Sequence, residues 1–318
     1  MTDDKIVKTI HDYQRRIKGA ERLHKLLGIV VVIVPAALLF LFVYMRSFLY
    51  MPVAFYVAVL ILFVLADKHT EKLQKKLKQF VGEYVGKDII AEQIEIQEYK
   101  PNGCFDKDFL NSSGVLPGFS KSYGSDYIKG VYKEKQITYC DIKLEAEERD
   151  SDGDYKTVTV FKGFVIMLAL GKSLGDKRVR ILEITKGGKV INSVVNAYAN
   201  FWRMLGINLE EKTVRMESEA FNNRFEVNAT DEELAFYILT PHFMESIMRA
   251  DELAQGRTNI CFNGDKAIIA IHNNYDAFEI GKNLKNENQL QESRERMRAH
   301  LKKSLLIVDE ILKKDRLF

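Results

Sequence analysis

Two long apolar segments near the start of the chain constrain its fold more than any other feature. Leu26 to Met45 and Ser47 to Ala66 contain no charged residue, and only Arg46 separates them. Each segment has 20 residues, and a helix of that length spans roughly 30 Å, the thickness of the hydrocarbon core of a bilayer. Helices of soluble proteins normally carry a polar face, and these segments have none. The sequence therefore predicts a transmembrane helical hairpin over residues 26–66, with spans at 26–45 and 47–66.

Basic residues on both outer sides of this hairpin predict its orientation. Residues 1–90 hold 14 basic and 8 acidic side chains, whereas residues 91–318 hold 33 basic and 36 acidic ones. Positive charge next to a span marks the cytoplasmic side, so we expect both termini in the cytoplasm. Basic side chains also attract anionic lipid headgroups, although they could serve only as topology signals. The candidate headgroup-binding residues are Arg15, Arg16, Lys18, Arg22, Lys25, Lys68, Lys72, Lys75 and Lys76.

The regions flanking the hairpin predict a division of the chain into helical and mixed parts. We expect a cytoplasmic juxtamembrane helix at 1–25, a stalk helix at 67–92 and a cytoplasmic α+β domain at 93–318. Apolar or small residues recur three and four residues apart in both flanking segments, which is typical of helices that pair side by side. An antiparallel stalk is one interpretation, and two separate surface helices are the other.

Alternating apolar and polar residues predict a mainly antiparallel sheet in the α+β domain. Ile137 to Glu147 and Thr157 to Leu170 flank a turn at Asp150 to Asp154, and Thr258 to Phe262 pairs with Lys266 to His272. The first of these strands should present Ile137, Tyr139 and Asp141 on one face and Cys140, Ile142, Leu144 and Ala146 on the other. Further strands are expected at Arg178 to Ile184, Thr213 to Glu217 and Arg224 to Asn228.

Two helical regions are predicted in the second half of the domain. Thr230 and Glu233 form a capping box, and the helix that follows should break at Thr240, because a residue before proline avoids the helical conformation. The candidate partner-binding residues lie at this bend: Thr240, Pro241, His242, Phe243 and Met244. A long amphipathic helix is expected at 288–314. We expect it to cover the sheet, with packing on a membrane or on a partner as alternatives.

The chemical motifs of the sequence predict no catalytic, cofactor-binding or metal-binding residue. Gly171-Lys172-Ser173 lacks the earlier glycine of a phosphate-binding loop, and the acidic turn at Asp150 to Asp154 lacks the spacing of an EF-hand. His242, His272 and Cys261 could suggest a Cys/His nucleophile, but no orienting motif accompanies them. The three cysteines are widely spaced without a CxxC motif, which is typical of free thiols in a reducing compartment.

Four stretches of the chain resemble a family of bacterial two-pass membrane proteins catalogued as domain of unknown function 3137. These stretches are Asp126 to Gly130, Val160 to Phe164, Arg215 to Ile247 and Asp276 to Glu279. The resemblance implies a protein of the bacterial inner membrane and suggests a LemA-type membrane protein as a candidate partner. It brings no known catalytic residues.

These observations favour a non-enzymatic binding or scaffold module tethered to the bacterial inner membrane. The expected partners are membrane lipids and a protein, with a homo-oligomer as a further option. Nucleic acid is not expected, because the α+β domain carries a net negative charge. The alternatives are a membrane-tethered hydrolase or transferase with an unidentified pocket, and a subunit of an oligomeric channel or transporter. An enzyme should show a deep polar pocket, whereas a binding module should show an exposed apolar patch or an open strand edge.

Overall fold

The structure is a computed structural model, which describes residues 1–44, 50–149, 154–184, 204, 211–254, 256–276, 278–281 and 284–315. Helix α1 spans Asp3–Tyr44 and α2 spans Tyr50–Val81, followed by a π-helical turn at Gly82–Gly86 and by α3 at Lys87–Ala91. The predicted connection between the two apolar segments at residues 45–48 lies outside the described residues. So do the predicted turn residues 150–153.

The chain forms two compact units. The first contains Met1–Tyr84 together with Ile280–Ser293, and the second contains Val85–Glu279 together with Arg294–Phe318. In the first unit α1 and α2 pack against each other, with the rings of Tyr13 and Phe80 6.2 Å apart and those of His24 and Phe63 stacked at 4.2 Å. Gln14 also donates a hydrogen bond to the carbonyl of Gly281.

The predicted transmembrane hairpin over residues 26–66 is wrong. Among the residues that the structure describes, no helix is long and apolar enough to cross a membrane.

This correction extends to the predictions that depended on the hairpin. The fold class with a membrane hairpin, the two-pass topology and the placement in the bacterial inner membrane with cytoplasmic termini are all wrong on the same finding. The prediction counted uncharged residues along the chain, whereas a span requires a helix that is both long and apolar enough to cross the bilayer. The α+β prediction for the rest of the chain does not depend on the hairpin.

The second unit is an α+β fold around one large antiparallel sheet, which confirms that part of the fold prediction. The described strands run in the order β1-β2-β3-β4-β9-β8-β5-β7-β6, and every pair is antiparallel. Their bounds are β1 Glu95–Lys100, β2 Lys121–Tyr132, β3 Lys135–Arg149, β4 Tyr155–Ala169, β5 Arg178–Glu183, β6 Lys212–Val214, β7 Phe225–Ala229, β8 Arg257–Asn263 and β9 Lys266–His272. The helices are α4 Lys107–Ser112, α5 Glu219–Asn222, α6 Glu232–Ile238, α7 Pro241–Ala254 and α8 Glu287–Asp315.

The two predicted hairpins form as expected. In β3 and β4, Tyr139 pairs with Ile166 and Asp141 with Phe164. In β8 and β9, Asn263 pairs with Lys266, so the turn has two residues, and Gly264 there adopts a φ of 59° that glycine tolerates at little cost.

The two faces of the sheet at β3 carry different side chains. One face, here called the thiol face, presents Cys140 in an apolar cluster of the strands with the segment around α4; its other members include Phe105, Leu110, Ile142, Leu144 and Val165. The opposite face, here called the carboxylate face, presents Tyr139, Asp141 and Phe164. There the rings of Tyr139 and Phe164 stack at 5.4 Å, and His300 of α8 lies against Phe164 at 5.4 Å. The alternation predicted from the sequence is therefore the alternation that the strand adopts.

Candidate functional site

Three aspartates meet on the carboxylate face. Asp126 comes from β2, Asp141 from β3 and Asp276 from the segment after β9, and one carboxylate oxygen of each lies within 4.8 Å of the other two. A bulge between Ser125 and Ile128 interrupts the pairing of β2 with β3, and Asp126 adopts a φ of 53° within it. Bulges commonly re-aim a side chain, and here the bulge brings Asp126 beside Asp141.

Tyrosine hydroxyls and backbone amides hold these carboxylates in place. The hydroxyl of Tyr99 donates to Asp126 Oδ1 at 2.7 Å, and that of Tyr139 donates to Asp141 Oδ1 at 2.8 Å. The Phe278 amide donates to Asp276 Oδ1 at 3.2 Å. Burial, and then the neighbouring Asp141 carboxylate, raise the pKa of Tyr139 well above its ordinary value. This phenol therefore stays protonated and acts as a donor.

The cluster has the donor set of a hard cation such as Ca²⁺ or Mg²⁺, which prefer carboxylate oxygens. Asp126 and Asp141 are buried, whereas Asp276 is half-buried. Like charges this close together also repel one another. The cluster by itself therefore identifies no ligand, and we assign it no function.

The predicted partner-binding bend lies between α6 and α7. Helix α6 ends at Ile238, and the amide of Thr240 donates to the Ile238 carbonyl at 3.1 Å across Leu239, whose φ and ψ are −88° and 63°. These angles define a tight inverse γ-turn. The next helix then begins at Pro241, where its first hydrogen bond runs from the Met244 amide to the Thr240 carbonyl at 2.9 Å. The predicted break before proline is thus present.

The five residues predicted at the bend divide into anchors and exposed positions. Phe243 and Met244 are buried, with 3% and 2% of their surface exposed, and Phe243 contacts the ring of Phe262 in β8. Thr240 is half-buried, and Pro241 and His242 are exposed. Only the last three can contact a partner directly.

Two aromatic residues that sequence reasoning missed extend this exposed surface. Phe236 and Tyr237 of α6 expose 42% and 50% of their surfaces, and both lie within one helical turn of the bend. Helix α6 packs on β6 and β7, so this surface lies near the β6 end of the described sheet. The sequence spacing of Ala235 and Ile238, three residues apart, could have indicated this. These two residues occupy the buried positions of α6, so Phe236 and Tyr237 between them face outward.

The cap of α6 also differs from the prediction. The side chain of Asp231, not of Thr230, caps the helix by accepting a hydrogen bond from the Leu234 amide. Thr230 Oγ1 instead accepts a hydrogen bond from the Arg178 amide. The competing contact with β5 explains why the local motif misplaced the cap by one residue.

The nine basic residues predicted at lipid headgroups are all exposed. Arg15 and Arg16 form ion pairs with Asp12, while Arg15, Lys18 and Arg22 line a cavity of about 390 Å³ together with His11, Gln14 and Lys285. Their role at lipid headgroups stays a prediction.

The structure does not bring Cys261 and His272 together as a nucleophile and base. They lie on neighbouring strands, but Cys261 pairs with Ile268 and His272 with Arg257, so four residue steps of roughly 3.3 Å separate them along the strands. Burial raises the pKa of the Cys261 thiol to about 12. His272 lies 2.7 Å from the Arg257 guanidinium and 3.2 Å from Asn274 Oδ1, which are ordinary structural contacts.

Comparisons with known proteins give a match to one family model over part of the chain and no activity. No curated protein matches the chain. The crystal structure of the mycobacterial trehalose monomycolate transport factor A, TtfA, covers 69% of this chain and 95% of its own, at 9% identity and a TM-score of 0.36. We base no conclusion on a similarity at that level.

The family comparison agrees with the resemblance seen in the sequence. Three of the four resembling stretches lie within residues 159–313, the part of the chain that the family model matches. The fourth, Asp126 to Gly130, lies before it. The bacterial and two-pass features that the resemblance implied are not confirmed. Residues 159–313 match the family described as "Protein of unknown function (DUF3137)", which supports the resemblance to that family over this part of the chain.

Proposed function

We propose that this protein is a binding module that recognises a protein partner through the surface around the α6–α7 bend. This surface, here called the bend surface, consists of Phe236, Tyr237, Thr240, Pro241 and His242. The exposure of the two adjacent aromatic side chains is the observation that carries the proposal.

Exposing two adjacent aromatic side chains to water costs free energy that a partner can recover by covering them. Tyrosine and phenylalanine are enriched at protein interfaces, where a few such residues supply most of the binding free energy. Buried Ile238, Leu239 and Phe243 fix the backbone on both sides of the bend. A partner would therefore meet a surface whose shape is already set, which reduces the entropy lost on binding.

Charge around the bend surface indicates the chemistry of the partner. Glu232 and Glu233 precede the aromatic pair, Glu245 follows the bend, and all three are exposed. An acidic rim favours a partner of opposite charge. The partner that fits best is a protein segment with an apolar or aromatic anchor residue flanked by Lys or Arg.

Site-specific cross-linking in the native cell tests the proposal. A photoreactive phenylalanine analogue replaces Tyr237 in the full chain, with Tyr155 as the matched control, because Tyr155 is 67% exposed but lies on β4. We expect a discrete protein adduct from position 237 and none from position 155. An adduct with only a second copy of this chain, or the same adduct from both positions, would contradict the proposal.

The purified adduct partner then allows a quantitative test. Phe236→Ser should weaken its binding by about tenfold or more, the effect of removing one central aromatic anchor. Tyr155→Ser should leave the Kd within about twofold, as expected outside an interface, and added salt should weaken binding to the wild type. Equal affinity of the wild type and Phe236→Ser would overturn the proposal.

A further inference from the structure

Two of the three cysteines contact each other although 35 residues separate them in sequence. Cys140 lies in β3, and Cys104 lies in the connection between β1 and α4. Cys104 packs against the apolar cluster that contains Cys140. Cys140 is fully buried, whereas Cys104 is half-buried and reaches the surface.

The backbone around Cys104 is arranged to bring its side chain onto the sheet. The Gly103 amide donates to the Lys100 carbonyl at 2.9 Å, and the Asp126 amide donates to the Pro101 carbonyl at 3.0 Å. These bonds hold the segment before Cys104 against β2. Cys140 Sγ lies 3.6 Å from the Gly103 carbonyl and 3.4 Å from the Ser125 carbonyl, so it sits directly beneath this segment.

Gly124 of β2 provides the space for this contact. A Cβ atom at position 124 would lie 2.3 Å from Cys104 Cβ and 2.5 Å from its Sγ, distances that no side chain can occupy. Any larger residue would push Cys104 away from the sheet and from Cys140. The position of the Cys104 side chain therefore explains why residue 124 is a glycine.

The two thiols also differ in reactivity. The hydrogen bond from Cys140 lowers the pKa of Cys104, whereas burial raises the pKa of Cys140 well above its ordinary value. The half-exposed thiol is thus the stronger candidate for attack on a soluble oxidant, and the buried thiol is positioned behind it.

We propose that Cys104 and Cys140 form a redox-active dithiol that a peroxide converts to an intramolecular disulfide. The Cys104 thiolate attacks one oxygen of hydrogen peroxide, so that an S–O bond forms, the O–O bond breaks and the released hydroxide takes a proton to become water. The Cys140 sulfur then attacks the Cys104 sulfenic acid. An S–S bond forms, the S–O bond breaks, and the leaving hydroxide takes the Cys140 proton.

The reaction balances as two thiols and one hydrogen peroxide giving one disulfide and two water molecules. The two sulfurs supply the two electrons that reduce the peroxide. Cys104 lies outside the strands, so it can approach to the S–S bond length of about 2.05 Å without breaking a strand hydrogen bond.

The third cysteine provides a matched control. Cys261 lies in β8, three strand positions from β3 in the sheet, which corresponds to roughly 14 Å at about 4.8 Å per strand. It is fully buried. It should neither react with peroxide nor pair with Cys140 in the folded protein.

Thiol counting and non-reducing peptide mapping of the full chain test the proposal. After hydrogen peroxide treatment with a chelator present and quenching in denaturant, the wild type should lose two of its three thiols and the mass of two hydrogen atoms. Cys261→Ser should lose both of its thiols, whereas Cys104→Ser should lose none. In Cys140→Ser, a sulfenic acid at Cys104 should be trapped by dimedone.

The mapped disulfide decides the outcome. A Cys104–Cys140 peptide pair in both the wild type and Cys261→Ser supports the proposal, even if Cys104→Ser fails to fold. Retention of three thiols in the oxidised wild type, a disulfide that includes Cys261, or one between two chains would overturn it.

Discussion

The thiol face and the carboxylate face of the sheet both bury charged side chains, but these side chains have different neighbours on the two faces. On the thiol face Arg180 of β5 is buried with Glu211, to which its Nε donates at 2.8 Å, and its Nη1 lies 3.4 Å from the Gly114 carbonyl. On the carboxylate face Asp126, Asp141 and Asp276 share one site. One face pairs opposite charges, and the other holds like charges together with hydrogen-bond donors.

The cost of removing a buried charge depends on which charges remain beside it. Removing one partner of a buried pair leaves an uncompensated ion in the interior. Removing one member of a like-charged group reduces repulsion. The two faces should therefore respond to charge-neutralising substitutions with opposite sign.

Arg180→Met should give the largest effect. We expect a loss of about 3–5 kcal/mol in the free energy of unfolding, because Glu211 would stay buried without its guanidinium. Urea denaturation measured by circular dichroism gives this value. The double variant Arg180→Met/Glu211→Leu is the control, and it should recover most of the loss because no buried charge is left unpaired. A double variant no more stable than Arg180→Met would contradict the pairing argument.

An intermediate effect is expected from His300, which neighbours the acidic group on the carboxylate face. Burial lowers its pKa to about 4, against an ordinary value near 6.5, with Asp276 opposing the shift and Lys303 adding to it. A base whose pKa is lowered by folding stabilises the protein fully above pH 6.5, and that contribution is lost as the pH falls towards 4. The wild type should lose about 3 kcal/mol across this interval.

His300→Phe should remove this part of the acid sensitivity. The measurement is urea denaturation at pH values from 8 to 4, comparing how the free energy of unfolding changes with pH. Phe221→Leu is the control, because Phe221 is fully buried, packs against Phe225 instead of the imidazole and carries no proton. This control variant should lower the free energy of unfolding at every pH without changing how that free energy depends on pH. If His300→Phe loses as much stability in acid as the wild type does, His300 is not the source of this pH dependence.

Local sequence patterns predicted the central hairpins and the distribution of side chains on β3. Alternation requires only a period of two residues, and it correctly separated Tyr139 and Asp141 from Cys140. The strands β1 and β2 were not predicted. In β2, Gly124, Gly130 and the bulge at Asp126 interrupt the alternation, although each has a structural role that appears only when β1 and β3 are beside it.

The candidate sites were less predictable than the fold because they depend on long-range register. Asp126, Asp141 and Asp276 follow no motif spacing, and Cys104 meets Cys140 only because Gly124 leaves room for its side chain. The bend surface was partly predictable, since a break before Pro241 follows from local sterics. Which of its side chains are buried depends on tertiary packing: Phe243 contacts Phe262 of β8, and both Phe243 and Met244 are buried.

The smallest effect is expected at Asp126, where a charge-neutralising substitution should raise the free energy of unfolding instead of lowering it. Asp126→Asn should stabilise the protein by about 1 kcal/mol at pH 8 with a chelator present, because it removes one like charge. Asparagine tolerates the positive φ of this position and can still accept the Tyr99 hydrogen bond. Tyr99→Phe is the control: it removes that bond without changing the charge of Asp126, and should destabilise by about 1 kcal/mol. If Asp126→Asn lowers the urea midpoint instead, the three carboxylates do not repel one another, and the contrast between the two faces fails.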